Sequence, residues 1–112
     1  MSIATEAIEA LDSFLGEAGT PVIVRRYISR VAPIVKTDIT VNAGVRITKG
    51  EDIAGRVDAY DGRAIVSPTG LSIVPKRDDK VLFEGIEYNV ELVKPFLITD
   101  IPVRYELMLT GV

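Results

Sequence analysis

Cysteine and histidine are both absent from this chain of 112 residues. Without cysteine, disulfide bonds, thiolate nucleophiles and cysteine-ligated metals are excluded. Without histidine, the commonest general base and one of the commonest metal ligands are also missing. The sequence therefore predicts a protein that is not an enzyme and that holds no metal and no cofactor.

A basic excess and a long apolar run are missing as well. The 13 Lys and Arg residues are outnumbered by 16 Asp and Glu residues, which gives a net charge of −3. A nucleic-acid binder that acts through its overall charge is therefore not expected. No apolar run approaches the length of about 20 residues that a helix needs to span a bilayer. The N-terminal stretch is acidic, whereas a signal peptide begins with a basic segment. We expect synthesis in a cytoplasm and no membrane partner.

What the chain does have is a regular apolar pattern in its last third. From Asp79 to Gly111, apolar and polar residues alternate with a period of two, which predicts three strands with one face in a core. Glu84-Gly85 is the predicted turn between the first two strands, and a short loop is expected after Lys94-Pro95. The residues assigned to the core-facing side include Phe83, Ile86, Tyr88, Val90, Leu92, Tyr105 and Leu107.

Residues 3–15 have the spacing of an amphipathic helix. Gly16 predicts that this helix ends after Leu15. The apolar stripe can pack on the sheet of its own domain or on a neighbouring subunit, and both alternatives remain open. The stripe contains Ala4, Ala7, Ile8, Leu11, Phe14 and Leu15.

The first strand is predicted over Thr20 to Val31, and it carries the only arginine cluster of the sequence, Arg25, Arg26 and Arg30. One interpretation is a solvated face, on which positive charge blocks unwanted strand pairing. The other is a contact surface for an acidic partner or a phosphate backbone. These three arginines are the candidate partner interface, and no catalytic residue is assigned.

The region from Ala32 to Tyr60 is the least decisive. Residues 39–47 alternate as a strand does, although Asn42-Ala43-Gly44 can turn or weaken it. Alternatively, residues 36–55 form a mobile loop that becomes ordered on assembly. The acidic residues Asp58, Asp61, Asp78 and Asp79 lie in turn-like sequence and are interpreted as turn residues rather than as metal ligands.

Together these patterns predict one domain over residues 1–112, with a helix at about 3–15 and β-rich sequence over 20–112. An apolar fraction of 47% and a charged fraction of 26% fit a globular chain with a single core. The predicted fold class is mainly β, either a small antiparallel β-barrel or a β-sandwich, with an N-terminal α-helix.

About half of the chain resembles a known family. The similar segments are Arg63–Leu71, Asp79–Val90, Val93–Pro95 and Tyr105–Gly111. They resemble the small head–tail joining proteins of long-tailed bacteriophages, which are also called head-completion, stopper, tail-attachment or neck proteins. The residues on the family pattern are Asp79, Val81, Gly85, Tyr88, Val90, Pro95, Leu107, Leu109 and Gly111.

The resemblance implies a structural protein of the virion neck, which forms a homo-oligomeric ring under the portal and helps to retain the packaged DNA. Its implied partners are a portal-side or connector-side adaptor and a tail-side protein. Packaged DNA would pass through the ring without specific binding, and an acidic balance suits such a channel. The isolated protein can still be a monomer.

Two alternatives remain open. A tail-completion or tail-terminator protein is also a small ring-forming virion component. A stand-alone ligand-binding β-barrel of the host is a different class, and it predicts a monomer with a concave apolar pocket.

Overall fold

The computed structural model describes residues 2–29, 31–47, 52–53, 56–57 and 61–111. The protein is mainly β, with one N-terminal helix in the described residues. The helix α1 spans Ile3–Ala18. The strands are β1 (Thr20–Ser29), β2 (Val35–Ile47), β3 (Asp52–Ile53), β4 (Arg56–Val57), β5 (Gly62–Val66), β6 (Lys80–Phe83), β7 (Ile86–Ile98) and β8 (Ile101–Thr110).

Six of these strands close into an antiparallel barrel in the order β1-β2-β5-β8-β7-β6. The barrel closes because β1 pairs with β2 on one side and with β6 on the other. Among the residues that the structure describes, β3 and β4 pair with each other and form a separate two-stranded sheet. Of the two predicted architectures, the barrel is therefore the one that the protein adopts, and the sandwich is not.

The core lies inside the barrel, on the faces that the alternating pattern predicted. Tyr88, Val90, Tyr105 and Leu107 are all buried in one cluster, and Phe83 packs partly buried against it. The predicted hairpin turn is confirmed, because Glu84 and Gly85 have φ angles of 52° and 80°. The other members of the core cluster are Val22, Val24, Val41, Ala43, Ala64, Val66, Val81 and Leu109.

The helix is longer than predicted. It begins after Ser2, whose side chain accepts a hydrogen bond from the Thr5 backbone N–H at 3.1 Å. Gly16 does not end it, because the helix continues to Ala18 and the N–H of Gly19 donates to the Leu15 carbonyl at 2.9 Å. Leu15 is buried as expected, whereas Phe14, placed in the same stripe, is 60% exposed.

A β-bulge changes the predicted face of β7. The register between β7 and β8 shifts between Val90 and Leu92, so that one extra residue enters β7. Such a bulge exchanges the two faces of a strand beyond it. Val93 therefore packs against the core and Leu92 does not, contrary to the prediction. Ile86, which was also assigned to the core face, is 47% exposed.

The predicted loop after Lys94-Pro95 is also wrong. β7 continues through Pro95 to Ile98, and the chain turns at Thr99-Asp100, where both φ angles are positive. Proline is tolerated there because β6 pairs only with residues 86–89, so β7 has a free edge beyond the barrel.

Much of the expected mobile loop at 36–55 is a regular strand. Residues 36–47 belong to β2, which runs through Asn42-Ala43-Gly44 without turning. β1 pairs along one edge of β2, and β5 pairs along part of the other. The rest of the predicted loop lies largely outside the described residues.

Candidate functional site

Strands β7 and β8 continue past the barrel as a two-stranded ribbon, which we call the arm (residues 92–104). β6 pairs with β7 only up to Asn89, and β5 pairs with β8 only from Tyr105 onwards. Within the arm, β7 and β8 pair with each other up to Ile98 and Ile101. Large apolar side chains remain exposed along it, and they are Leu92, Phe96, Leu97 and Ile101.

One face of the arm forms the wall of an apolar groove of about 620 Å³. The opposite wall comes from the β5–β6 connection, and Lys76 and Arg77 lie on its rim. Both basic residues are exposed, and the Arg77 guanidinium lies 3.6 Å from the Glu91 carboxylate. The principal apolar lining residues are Val74, Pro75, Val93, Pro95, Leu97 and Tyr105. We call this feature the arm groove.

The other face of the arm lies against the helix of the same chain. Ala7 and Leu11 of α1 line a smaller cleft together with Phe96 and Arg104 of the arm. The Arg104 guanidinium carbon lies 4.0 Å from the centre of the Phe96 ring, a favourable cation–π distance. The helix therefore supports the arm from behind and leaves the groove side open.

The outward side of α1 is both apolar and acidic. Ile3 is 71% exposed and Phe14 is 60% exposed. The helix contains four acidic residues and no Lys or Arg. Since the whole chain has 16 acidic and 13 basic residues, the remainder has 12 acids and 13 bases. The net negative charge of the protein is thus concentrated on one helix.

The predicted arginine cluster is not one patch. Arg25 lies on the outer face of β1, where it donates to both carboxylate oxygens of Asp38 at 2.8 and 3.0 Å and to Glu87 at 3.2 Å. The hydrogen bond with Arg25 lowers the pKa of Asp38, and the same contact raises the pKa of Arg25. Tyr27 also donates to Glu87, so this corner of the barrel is a satisfied polar network.

Arg26 has the opposite orientation, because neighbouring residues of a strand point to opposite faces. It donates to both carboxylate oxygens of Asp79 at 2.9 Å and to the Val74 carbonyl at 2.8 Å. The hydrogen bond with Asp79 raises the pKa of Arg26. Asp79, interpreted from sequence as a turn residue, is thus a buried ion-pair partner. Arg30 lies outside the described residues.

The described residues contain no group of three or more His, Cys, Asp or Glu side chains that could hold a metal ion. Ser67 accepts a hydrogen bond from the Thr69 backbone N–H at 3.2 Å, a local turn contact. In the same part of the chain, no helix has the length and apolar character needed to cross a membrane.

The arm and its groove were missed by the sequence reasoning, which placed a loop there. A signal was present, since the run Phe96-Leu97-Ile98 is apolar at consecutive positions and so breaks the alternation. A ribbon with apolar residues on both faces gives that pattern. Comparison with known proteins adds no further constraint: no protein-family model and no curated protein matches the chain.

Proposed function

We propose that the protein is a structural component of a bacteriophage neck, which joins the DNA-filled head to the tail as part of a homo-oligomeric ring. The observation that carries this proposal is the arm, a two-stranded ribbon that projects from a closed barrel and exposes Leu92, Leu97 and Ile101. Large exposed apolar surfaces mark sites that a partner covers. A small barrel with such a surface fits a subunit of an assembly.

The residues that resemble those of head–tail joining proteins help to build the barrel, and this supports the proposal. Gly85 occupies a turn at φ 80°, Asp79 holds the β5–β6 connection to β1, and Leu107 and Leu109 are in the core. These contacts are ones that a family sharing this barrel would need. The proposed location is the head–tail interface of the virion, after synthesis in the host cytoplasm.

The alternative of a ligand-binding barrel has less support. Its prediction was a concave apolar pocket, whereas Val24, Ala64 and Leu107 fill the inside of this barrel and are 0% exposed. The arm groove is apolar, but it lies outside the barrel against an exposed rim. A surface of this kind is better suited to a protein partner than to a small enclosed ligand.

Deletion of the gene from the phage or prophage that encodes it tests the proposal. We expect filled heads and finished tails that fail to join, or heads that lose their DNA. Purified protein added to the two fractions should bind the filled heads; binding to tails alone would favour the tail-terminator alternative. Normal infectious particles from the deletion strain would rule out both virion functions.

A pair of matched variants links the assay to the arm. Leu97 and Ile86 are both exposed apolar residues, at 54% and 47%, on the arm and at the β6–β7 end of β7 respectively. We expect Leu97→Ser to impair complementation of the deletion, whereas Ile86→Ser should complement it. Equal complementation by the two variants would show that the exposed apolar surface of the arm is not needed for joining.

A further inference from the structure

We propose that α1 of one copy docks into the arm groove of a second copy of this chain. The exposed stripe of the helix would lie on the apolar wall of the groove, with Glu6 and Glu17 beside Lys76 and Arg77. This inference rests on the proposed function, because it supplies the subunit contact that a ring of identical chains requires.

The first argument is the shape of the helix surface. Ile3, Ala10 and Phe14 are exposed, and their spacings of seven and four residues place them in one line along the helix. This line is distinct from the side that contains buried Ala4 and Leu15. The helix therefore has two apolar sides, of which its own domain covers only one. A helix with a second apolar stripe is suited to lie in a groove.

Charge complementarity selects a second copy as the occupant. Glu6 and Glu17 are eleven residues apart, so they flank the exposed stripe on the same side, and both are exposed. None of the ion pairs within the described ranges involves an acidic residue of α1. The groove of the same chain carries two basic residues, Lys76 and Arg77, against one acid, Glu91, so its rim is net positive. Matched charges of this kind steer association and fix its register.

The positions of the two surfaces determine the type of assembly. The helix contacts the arm on the face that carries Phe96 and Arg104, whereas the groove is on the face that carries Val93 and Pro95, and Leu97 near the tip of the arm lines both. A chain therefore cannot fill its own groove with its own helix. The contact between copies is heterologous, because the helix of one copy meets the groove of the next. Heterologous contacts generate a ring when the rotation between subunits closes.

Charge exchange tests the contact in the full-length chain. We expect Lys76→Glu with Arg77→Glu to weaken self-association about tenfold or more, since like charges would then face each other. Glu6→Lys with Glu17→Lys should weaken it similarly. The chain with all four substitutions should recover the lost affinity, because the charges are then opposite again. Sedimentation velocity across a concentration series measures each association constant.

Two exposed positions away from the contact provide the matched control. Glu9→Lys changes the same helix on another side, and Arg46→Glu changes an exposed position of β2 that lines neither the arm groove nor the cleft between the arm and α1. Together they should leave self-association unchanged. Failure of the fourfold variant to recover, or an equal loss in this control, would overturn the inference.

The absence of cysteine allows a second test that detects weak contacts. Phe14→Cys and Leu97→Cys are made in separate chains, which are then mixed at high concentration under mild oxidation. We expect this mixture to form a mixed disulfide dimer about tenfold faster than Glu9→Cys mixed with Leu97→Cys, because docking raises the effective concentration of the paired thiols. Equal rates in the two mixtures would overturn the inference.

The two proposals fail in different ways. If the charge-exchange variants leave self-association unchanged, the α1–groove contact is refuted, but the joining function is not. Infectious particles from the deletion strain remove the joining function, whereas a charge-dependent α1–groove contact would still be measured in the purified chain.

Discussion

Arg26 and Asp79 are 53 residues apart in sequence and form a bidentate ion pair, in which both N–O distances are 2.9 Å. The Asp79 side chain is 2% exposed, and Arg26 is its ion-pair partner. We expect Arg26→Met to lower the free energy of unfolding by about 3 kcal/mol, because it leaves a buried carboxylate unpaired. Chemical denaturation measures the change.

Two further variants separate charge from packing at this site. Adding Asp79→Asn to Arg26→Met should recover part of the loss, since the buried group is then neutral. Arg25→Met, on the outer face of the same strand, should cost clearly less. A cost for Arg25→Met as large as that for Arg26→Met would contradict the assignment of the two faces.

The Arg25–Asp38 contact predicts a pH dependence with a definite sign. Arg25 holds the pKa of Asp38 below its ordinary value in the folded state. The contact therefore stabilises the fold fully above the ordinary pKa of an aspartate, and this contribution is lost as the pH falls through the lowered folded-state pKa. Titration of the Asp38 carboxyl by NMR should show the lowered value.

Arg25→Gln provides the control for this titration. It should return the pKa of Asp38 towards its ordinary value and reduce the fall of stability in acid. An unchanged Asp38 titration curve in that variant would show that another group sets the shift.

Leu107 is the clearest test of the core. It is 0% exposed and lies in the strand between β5 and β7. We expect Leu107→Ala to lower the free energy of unfolding by about 2–5 kcal/mol through lost burial and a cavity. Glu91→Ala, at a partly exposed neighbour in β7, should change it by about 0.5 kcal/mol or less. Equal stability of the two variants in thermal and denaturant unfolding would refute the face assignment.

Two glycines should respond to alanine in opposite directions. Gly16 lies inside α1 with no heavy atom within 4 Å of an added Cβ, so Gly16→Ala should raise stability by about 0.5–1 kcal/mol. Gly85 has a φ of +80° in the β6–β7 turn, which alanine adopts poorly, so Gly85→Ala should lower stability. Thermal unfolding compares them, and a destabilised Gly16→Ala would mean that the helix ends early.

The strands were predictable from sequence wherever one face is buried and the other is exposed to solvent. β6 and β8 follow this rule, since Phe83 packs against the core and Tyr105 and Leu107 lie in it, as alternation alone predicted. β7 departs from this rule because a bulge follows Val90. The bulge is defined by the pairing of β7 with β8, so it cannot be recognised from the sequence of β7 alone. The end of the helix was misplaced because a glycine inside a helix costs only about 1 kcal/mol, so Gly16 weakens the helix without having to end it.

The candidate site was harder to predict than the fold. The arginine cluster was visible in sequence, but the opposite directions of Arg25 and Arg26 decide what each residue contacts. The partner of Arg26 lies 53 residues away, beyond the reach of local patterns. The arm groove is likewise formed by the β5–β6 connection and the β7–β8 ribbon, which only the closed barrel brings together.

The strand order has a consequence for synthesis on the ribosome. β8 fills the place between β5 and β7, so a nascent chain that ends before residue 101 leaves both of those strands with an open edge. Open edges are templates for aggregation. Emergence of β8 from the exit tunnel is therefore the event that completes the barrel and closes both open edges.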